Sequence, residues 1–399
     1  MRIAVNLLPF REQLAGAGQY TQNILRELVT RDAKKEYILF LTPRAEQHFA
    51  FEESNITRVF VPLPDSIAAR IAYEQFVLPF QLAQHEVDLL FTPSVAIPFL
   101  WRGKKVTIIY DMIAEHAPHV LPFGNKKRSE TVSAQTVVKY PPLRNAYVKW
   151  MSRFAARQSD AVITISENSR REISEFARVP TEKIFLAPPA TTLQRAADVE
   201  TLTRAREIYR LPERFILYLG TLEPGKNLPR LVQAYAQLKR QHPELEQQLV
   251  LAGAQGWGVR DIEDEIQKSD ATGFHLIGFV DEADLAALYS LADVFVYPSL
   301  YEGFGMPPLE AMACGTPVIV SNVSSLPQVL GDLWTGKRAG LLVPPDDVNA
   351  LANAMARVLT DTALCEKLRA LGMERAREFS WERSAEVVRE VLSGMRDEG

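Results

Sequence analysis

Cysteine is nearly absent: Cys314 and Cys365 are the only two among 399 residues. That excludes a disulfide scaffold and a thiolate zinc cluster, fits a reducing compartment, and leaves both cysteines as packing residues. The six histidines show no metal-ligand spacing, and no Asp-x-Asp follows a strand-like run, so no metal site is expected. Long hydrophobic runs are missing as well, with none near the roughly eighteen residues that mark a membrane-spanning helix. The opening stretch MRIAVNLLPF has one Arg and no small-residue cleavage site, so no export signal is read there and a cytoplasmic chain is expected. Low-complexity tracts and runs of like charge are also lacking, which excludes extended disorder.

What is present is an ordinary globular composition, 47% hydrophobic and 24% charged, in a chain long enough for two domains. The net charge of -4 is uneven: residues 1–190 carry +5 and residues 191–399 carry -9. This is too mild for a nucleic-acid partner, which calls for a concentrated basic face.

The two halves begin alike. RIAVNLL reads as a strand, AGAGQ as a glycine turn, and YTQNILREL as a helix with Ile24, Leu25 and Leu28 on one face. RFILYLG, TLEPGK and NLPRLVQAYAQL repeat that order, with Leu228, Leu231, Val232, Tyr235 and Leu238 as the helical stripe. Apolar runs then alternate with helical patterns: VDLLFTP, KVTIIYD and DAVITIS in one half, QQLVLAG, FHLIGF, DVFVYPS and TPVIVSN in the other. The pattern predicts an α/β fold of two Rossmann-like domains, 1–190 and 211–379, joined by a linker at 191–210 within or beside the weakly patterned stretch 187–202. Ligands in such sheets sit at the carboxyl ends of the strands, so a cleft between the domains is the expected site.

GTLEPGKN, residues 220–227, approximates the phosphate loop of ATPases, but Asn227 stands where a magnesium-holding Ser or Thr is required. Asn227 and Pro229 instead suit a helix start, with Lys226 beside its positive end. Gly220, Lys226 and the helix amides then form either a phosphate site or an ordinary turn with a solvated cation. The stretch YPSLYEGFGMPPLEAMACGTPVIVSN, residues 297–322, favours the first. A strand leads into a loop holding Glu302, Gly303 and Gly305, then into a helix that starts at the proline pair, carries Glu310 in its first turn and ends at Gly315. Singly, Glu302 suits a surface turn and Glu310 complements a helix dipole. Two carboxylates and glycine-freed amides at one strand end fit a polyhydroxyl ligand bearing phosphate.

These 26 residues resemble the E-x7-E signature of retaining glycosyltransferases of the GT-B fold, in particular family 4. The resemblance covers nearly the whole chain, through GAGQYTQNILREL, ITISENSRREI, GTLEPGKNLPRLVQAY and the closing FSWERSAEVVREVL, and points to the mannosyltransferase-like branch. It implies a nucleotide-sugar donor, with GDP-mannose favoured over a UDP-sugar, no metal or other cofactor, and retention at the anomeric carbon. The acceptor it implies is a saccharide or lipid-linked saccharide of surface polysaccharide or glycolipid synthesis. By position, Glu302 holds donor-sugar hydroxyls, Glu310 the ribose, and Lys226 the diphosphate. Phe304 and Gly305 bring backbone amides to the sugar, Met306 is a further donor-binding position, and Gly16 and Gly18 let the first loop approach the donor. Asp111 either orients sugar or acceptor or caps a helix. The helix from about residue 380 to 399 is expected to cross back onto the first domain.

Two departures stand out. Tyr110 takes the place of a histidine common in relatives, with His116 and His119 nearby, and the phosphate loop has Thr221 and Gly225 where relatives carry an additional Arg, leaving Lys337 and Arg338 as alternative cations. On the acceptor side, residues 124–157 hold eight Lys and Arg against Glu130 alone, with Trp150, Met151 and Phe154 at helical spacing. This is either a core helix with a basic face or a peripheral contact with anionic membrane. A nucleotide-sugar epimerase or hydrolase and an inactive nucleotide-sugar-binding protein are the alternative functions.

Overall fold

A computed structural model describes residues 1–12, 14, 16–32, 34–116, 142–196, 198–256, 258–331 and 338–395. The sequence readings on Glu130, His119, Lys337 and residues 124–141 lie outside them. The chain divides into two compact units: Met1–Glu115 with Leu143–Pro189 and the residues from Ser380 onward, and Ala190–Phe379, to which His116 and Pro142 also belong.

The first unit is built on seven strands, β1 (Arg2–Asn6), β2 (Glu36–Leu41), β3 (Ile56–Phe60), β4 (Leu89–Thr92), β5 (Lys104–Ile108), β6 (Ala161–Thr164) and β7 (Ile184–Leu186). They pair in parallel in the order β3-β2-β1-β4-β5-β6-β7. Every residue of β4 and β6 is buried, the continuous apolar run expected of strands covered on both faces. The second unit has β8 (Phe215–Leu219), β9 (Gln248–Ala252), β10 (Phe274–Gly278), β11 (Val294–Tyr297), β12 (Val318–Ser321) and β13 (Gly340–Val343), parallel in the order β10-β9-β8-β11-β12-β13. Both are Rossmann-like sheets. In each, the strand order reverses once, between β1 and β4 and between β8 and β11, and the crevice at such a point is where a ligand finds loops diverging from adjacent strands.

The domain boundary differs from the sequence reading. Residues 191–210 are no linker: Asp198 accepts from Thr201 N (2.8 Å) and caps a helix, Val199–Ile208. That helix is fixed in the second unit by Arg204 and Tyr209, both bonded to buried Asp284, while Ala196 N donates to Ser290 Oγ (2.9 Å). Its anchors are polar, so the hydrophobic period that reveals most helices is weak here. The first helix also differs, spanning Gly16–Arg31 and so absorbing the predicted glycine turn. Glycine disfavours helix, but packing overrides propensity: Tyr20 on this helix is buried and donates to Ala187 O (2.8 Å).

The helix Trp381–Gly394 packs on Gly16–Arg31 within the first unit. Ser380 caps it, accepting from Arg383 N (3.3 Å), and the Trp381 ring meets Tyr20 edge-on at 5.6 Å. Buried Lys35 bridges Ser393 Oγ and Asp32, each at 2.7 Å.

Candidate functional site

The loops after β8 and β11 come together at the reversal point of the second sheet. Leu300 N donates to Gly225 O (2.8 Å), and the Asn227 side-chain amide donates to Pro298 O (3.1 Å) and Pro345 O (2.7 Å). Asn227 does precede the helix Leu228–Gln241, but it has a left-handed backbone (φ 60°) and its side chain makes no cap bond. It joins three loops instead of capping one helix.

That junction sets Lys226 against Glu302. Nζ lies 2.7 Å from Glu302 Oε1, 3.9 Å from Glu223 Oε1 and 5.6 Å from the centre of the Tyr297 ring. Burial works to lower the lysine pKa, but the charge of Glu302, with Tyr218 and Glu223 behind it, outweighs burial and raises it. The ammonium is therefore permanently charged, and at 16% side-chain exposure it still reaches solvent. Burial, eased by Lys226, raises the Glu223 carboxyl. Gly220 (φ +155°) donates to Ala252 O (3.0 Å), and a Cβ on Gly253 (φ +132°) would collide with the Gly220 carbonyl. Only glycine at position 253 lets these two strand ends approach so closely.

The loop after β11 is shaped from β12. Ser324 Oγ accepts from Glu302 N (2.9 Å), and Ser325 Oγ donates to the carbonyls of Glu302 (2.9 Å) and Phe304 (2.6 Å). Gly305 turns the chain at φ +114°, where a Cβ would stand 2.8 Å from Leu326 Cδ2. The next helix, Met306–Ala313, has Pro307 and Pro308 in its first turn. Proline carries no N–H, so backbone donors at this helix entrance come from Met306 and the residues before it.

Glu310 lies in the second turn of that helix, not the first as read from the sequence, and so is not a dipole-compensating cap. It faces the fully buried Tyr289, whose hydroxyl donates to Oε2 at 2.8 Å. Burial raises the Glu310 carboxyl, the tyrosine bond lowers it, and Glu282 raises it again. Tyr289, Glu223 and the Ser324–Ser325 pair were all missed in the sequence. The available signals were the tyrosine within LYSLADVFVYPS and the serines following TPVIVSN.

In the first unit, Gly16 and Gly18 occupy the first turn of their helix. A Cβ on Gly16 meets nothing within 4 Å, whereas one on Gly18 would meet the flexible Leu14 side chain at 2.7 Å. Asp111 lies beyond β5 rather than at its end, and Oδ1 accepts from Ile113 N (3.0 Å), the first residue of the short helix Ile113–His116. The Tyr110 hydroxyl shares a bond with Thr21 Oγ1 (2.9 Å) and donates to Ala17 O (3.1 Å). Tyr110 thus ties the glycine-bearing helix to the end of β5, and burial raises its phenol well above the usual range. Of the alternative cations, Arg338 is described and lies beside β13 rather than at the Lys226 junction. Among the described residues no cluster of three or more His, Cys, Asp or Glu is arranged to hold a metal ion.

A fixed cation, two carboxylates at adjacent strand ends and a helix entrance with few amides can hold an anionic group and hydroxyls side by side. Comparisons with known proteins identify the family. Residues 14–195 match the family model Glycosyltransferase Family 4, and residues 201–375 match Glycosyl transferases group 1. The chain is 36% identical over 399 residues to O-antigen chain mannosyltransferase B of Escherichia coli, covering 96% of this chain and 97% of that one. It is 32% identical over 330 residues to the serotype-specific mannosyltransferase WbdA of Escherichia coli, which covers 81% of this chain but only 36% of that longer protein. In fold it resembles sucrose-phosphate synthase from Thermosynechococcus elongatus (TM-score 0.74, 23% identity, 99% of this chain and 100% of that one). It likewise resembles Anabaena HepE solved with UDP-glucose (TM-score 0.73, 18% identity, 99% and 100%). With both halves matched by family models and one relative aligned almost end to end, this chain is a glycosyltransferase of the GT-B fold and belongs to glycosyltransferase family 4.

Proposed function

We propose that the chain transfers mannose from GDP-mannose, with retention, to a saccharide or lipid-linked saccharide acceptor during assembly of a surface polysaccharide, working at the cytoplasmic face. The observation that carries this reading is the Lys226–Glu302 contact at the reversal point of the second sheet. The name of the relative aligned over 97% of its length supplies the sugar.

In this reading Lys226 stands against the diphosphate and offsets the charge that grows as the anomeric carbon–oxygen bond breaks. Met306 and the residues before it offer backbone amides, and Glu302 holds sugar hydroxyls while retaining its lysine partner. Glu310, aimed by Tyr289, takes the ribose hydroxyls. The acceptor oxygen attacks from the face the diphosphate leaves. The new carbon–oxygen bond forms as the old one breaks, and the acceptor proton passes to the departing diphosphate, which accounts for all atoms and electrons. The chain contributes position and electrostatics, and no side chain forms a covalent bond.

The test is a transfer assay offering GDP-mannose, UDP-glucose and UDP-galactose with mannose-terminated acceptors, the product linkage being read by NMR. An α-mannoside made from GDP-mannose is expected. Transfer from a UDP-sugar alone would overturn the donor, a β-linkage would overturn retention, and free mannose without transfer would make the protein a hydrolase.

A further inference from the structure

We propose that Glu74 is a positioning residue for the acceptor, resting on the saccharide acceptor proposed above: through Asn6 it holds the two loops that diverge at the reversal point of the first sheet. β1 and β4 pair side by side at that point, and Asn6 is the last residue of β1. Its amide nitrogen donates to Glu74 Oε1 (3.2 Å) and to Ala96 O (3.5 Å) in the loop after β4. Its oxygen accepts from Leu8 N (3.3 Å) in the loop after β1. Gln75, the next residue of the same helix, donates to Ile97 O (3.1 Å) and accepts from Phe99 N (2.9 Å). Two neighbouring side chains thus fix both loops of the crevice where parallel sheets hold their ligands.

The helix that carries this pair, Ile67–Phe76, buries the reverse of the usual set. Glu74 and Gln75 are its buried residues, while Ile67 and Phe76 are 51% and 66% exposed. A core-facing helix ordinarily buries its apolar stripe, and a buried carboxylate costs stability unless it is well paired. Glu74 is only half paired: Oε2 and Arg70 Nε, 3.7 Å apart, are both buried atoms without a hydrogen bond. A second titratable neighbour is Tyr147 on the helix Pro142–Gln158, whose phenol is raised by burial and by Glu74 and so stays neutral. Burial lifts the Glu74 carboxyl to about 7, with Arg70 and Asn6 pulling the other way. Near neutral pH the group therefore exists in two forms. The ionised form accepts a charge-assisted bond from Asn6 and attracts Arg70, and protonation weakens both. A firmly held Asn6 fixes Leu8 N and Ala96 O in turn, which ties acceptor affinity to the charge on Glu74.

The experiment measures the acceptor KM of the full chain from about pH 5.5 to about 8.5, with the mannose-terminated acceptor that the transfer assay elongates and its donor saturating. In the wild type the acceptor KM should fall about fivefold as pH rises through 7, with no such step in the donor KM. Glu74→Gln cannot ionise and should keep the higher KM at every pH. Asn6→Ala should do the same although Glu74 remains, because the carboxylate acts through the amide. The NMR shifts of the Leu8 and Phe99 amides should titrate with a midpoint near 7 in the wild type and not in Glu74→Gln, a readout that needs no acceptor. A wild-type acceptor KM without a step near pH 7, a step that survives in Glu74→Gln, or flat amide shifts would overturn the proposal. Transfer itself would continue in each of those cases. Failure of the transfer reading looks different: nothing is elongated while the amide titration persists.

Discussion

Replacing Lys226 by Ala tests the central contact in two independent ways. The pair is enclosed, with side-chain exposures of 16% and 13%, so removing the cation strands Glu302 and Glu223 together. Breaking a fully buried pair costs about 3–5 kcal/mol, and residual solvent contact reduces that here to about 1–3 kcal/mol. For a unit of this size the melting temperature should fall by about 2–10 °C at pH 8. The loss depends on pH with a definite sign. Burial already raises the Glu223 carboxyl, and without Lys226 it rises further. A carboxyl whose folded pKa is raised binds more protons folded than unfolded, so the variant regains stability as pH falls from 8 toward 5. Calorimetry of wild type, Lys226→Met, Glu302→Gln and the double variant isolates the pair, and the double variant should recover much of the loss. A charged contact to diphosphate is also worth about 1.5–3 kcal/mol, so GDP affinity should drop about ten- to a hundredfold in Lys226→Ala. A double variant whose loss equals the sum of the singles, together with unchanged GDP affinity, would refute both the pairing and the phosphate role.

Tyr289→Phe removes the hydroxyl that holds Glu310 and should raise the donor KM by about tenfold with kcat little changed, measured by initial rates. Glu74→Gln should stabilise the first unit by about 2–3 kcal/mol at pH 8 and not at pH 4. Burial pushes the Glu74 carboxyl up to about 7, so its charging costs stability as pH rises from the unfolded value through 7, and melts at both pH values will show it. Gly305→Ala should cost about 1–3 kcal/mol through its positive φ and its contact with Leu326, and should impair transfer beyond that loss by displacing the Met306 entrance.

The parts most legible in the sequence were those where local pattern and packing agree. Strands such as RFILYLG and DVFVYPS are apolar runs bounded by turn residues, and the structure places them as β8 and β11. Where contacts act over distance, the sequence was silent. The Lys226–Glu302 bond spans 76 residues and Tyr289–Glu310 spans 21. Neither has a period, because the first depends on β8 and β11 being adjacent in the sheet and the second on two helices, Glu282–Leu291 and Met306–Ala313, packing together. Asn227 looked like a cap since its chemistry suits one, but its amide was needed by two other loops. Asp111 offered two readings from one residue type, and its bond to Ile113 is compatible with both.

The helix Trp381–Gly394 returns the chain to the unit it began. During synthesis the residues through Pro189 emerge first, and the final helix is still 191 residues away. At about 5–20 residues per second that interval lasts roughly 10–40 s. Throughout it the face of Gly16–Arg31 that meets Trp381 and the ammonium of Lys35 lack their final partners. The first unit to be made is thus the last to be finished, while the second, whose residues end at Phe379, can close before the final helix is made. Substitutions at Tyr20, Lys35 or Trp381 should therefore show first as lost yield of folded protein in the cell.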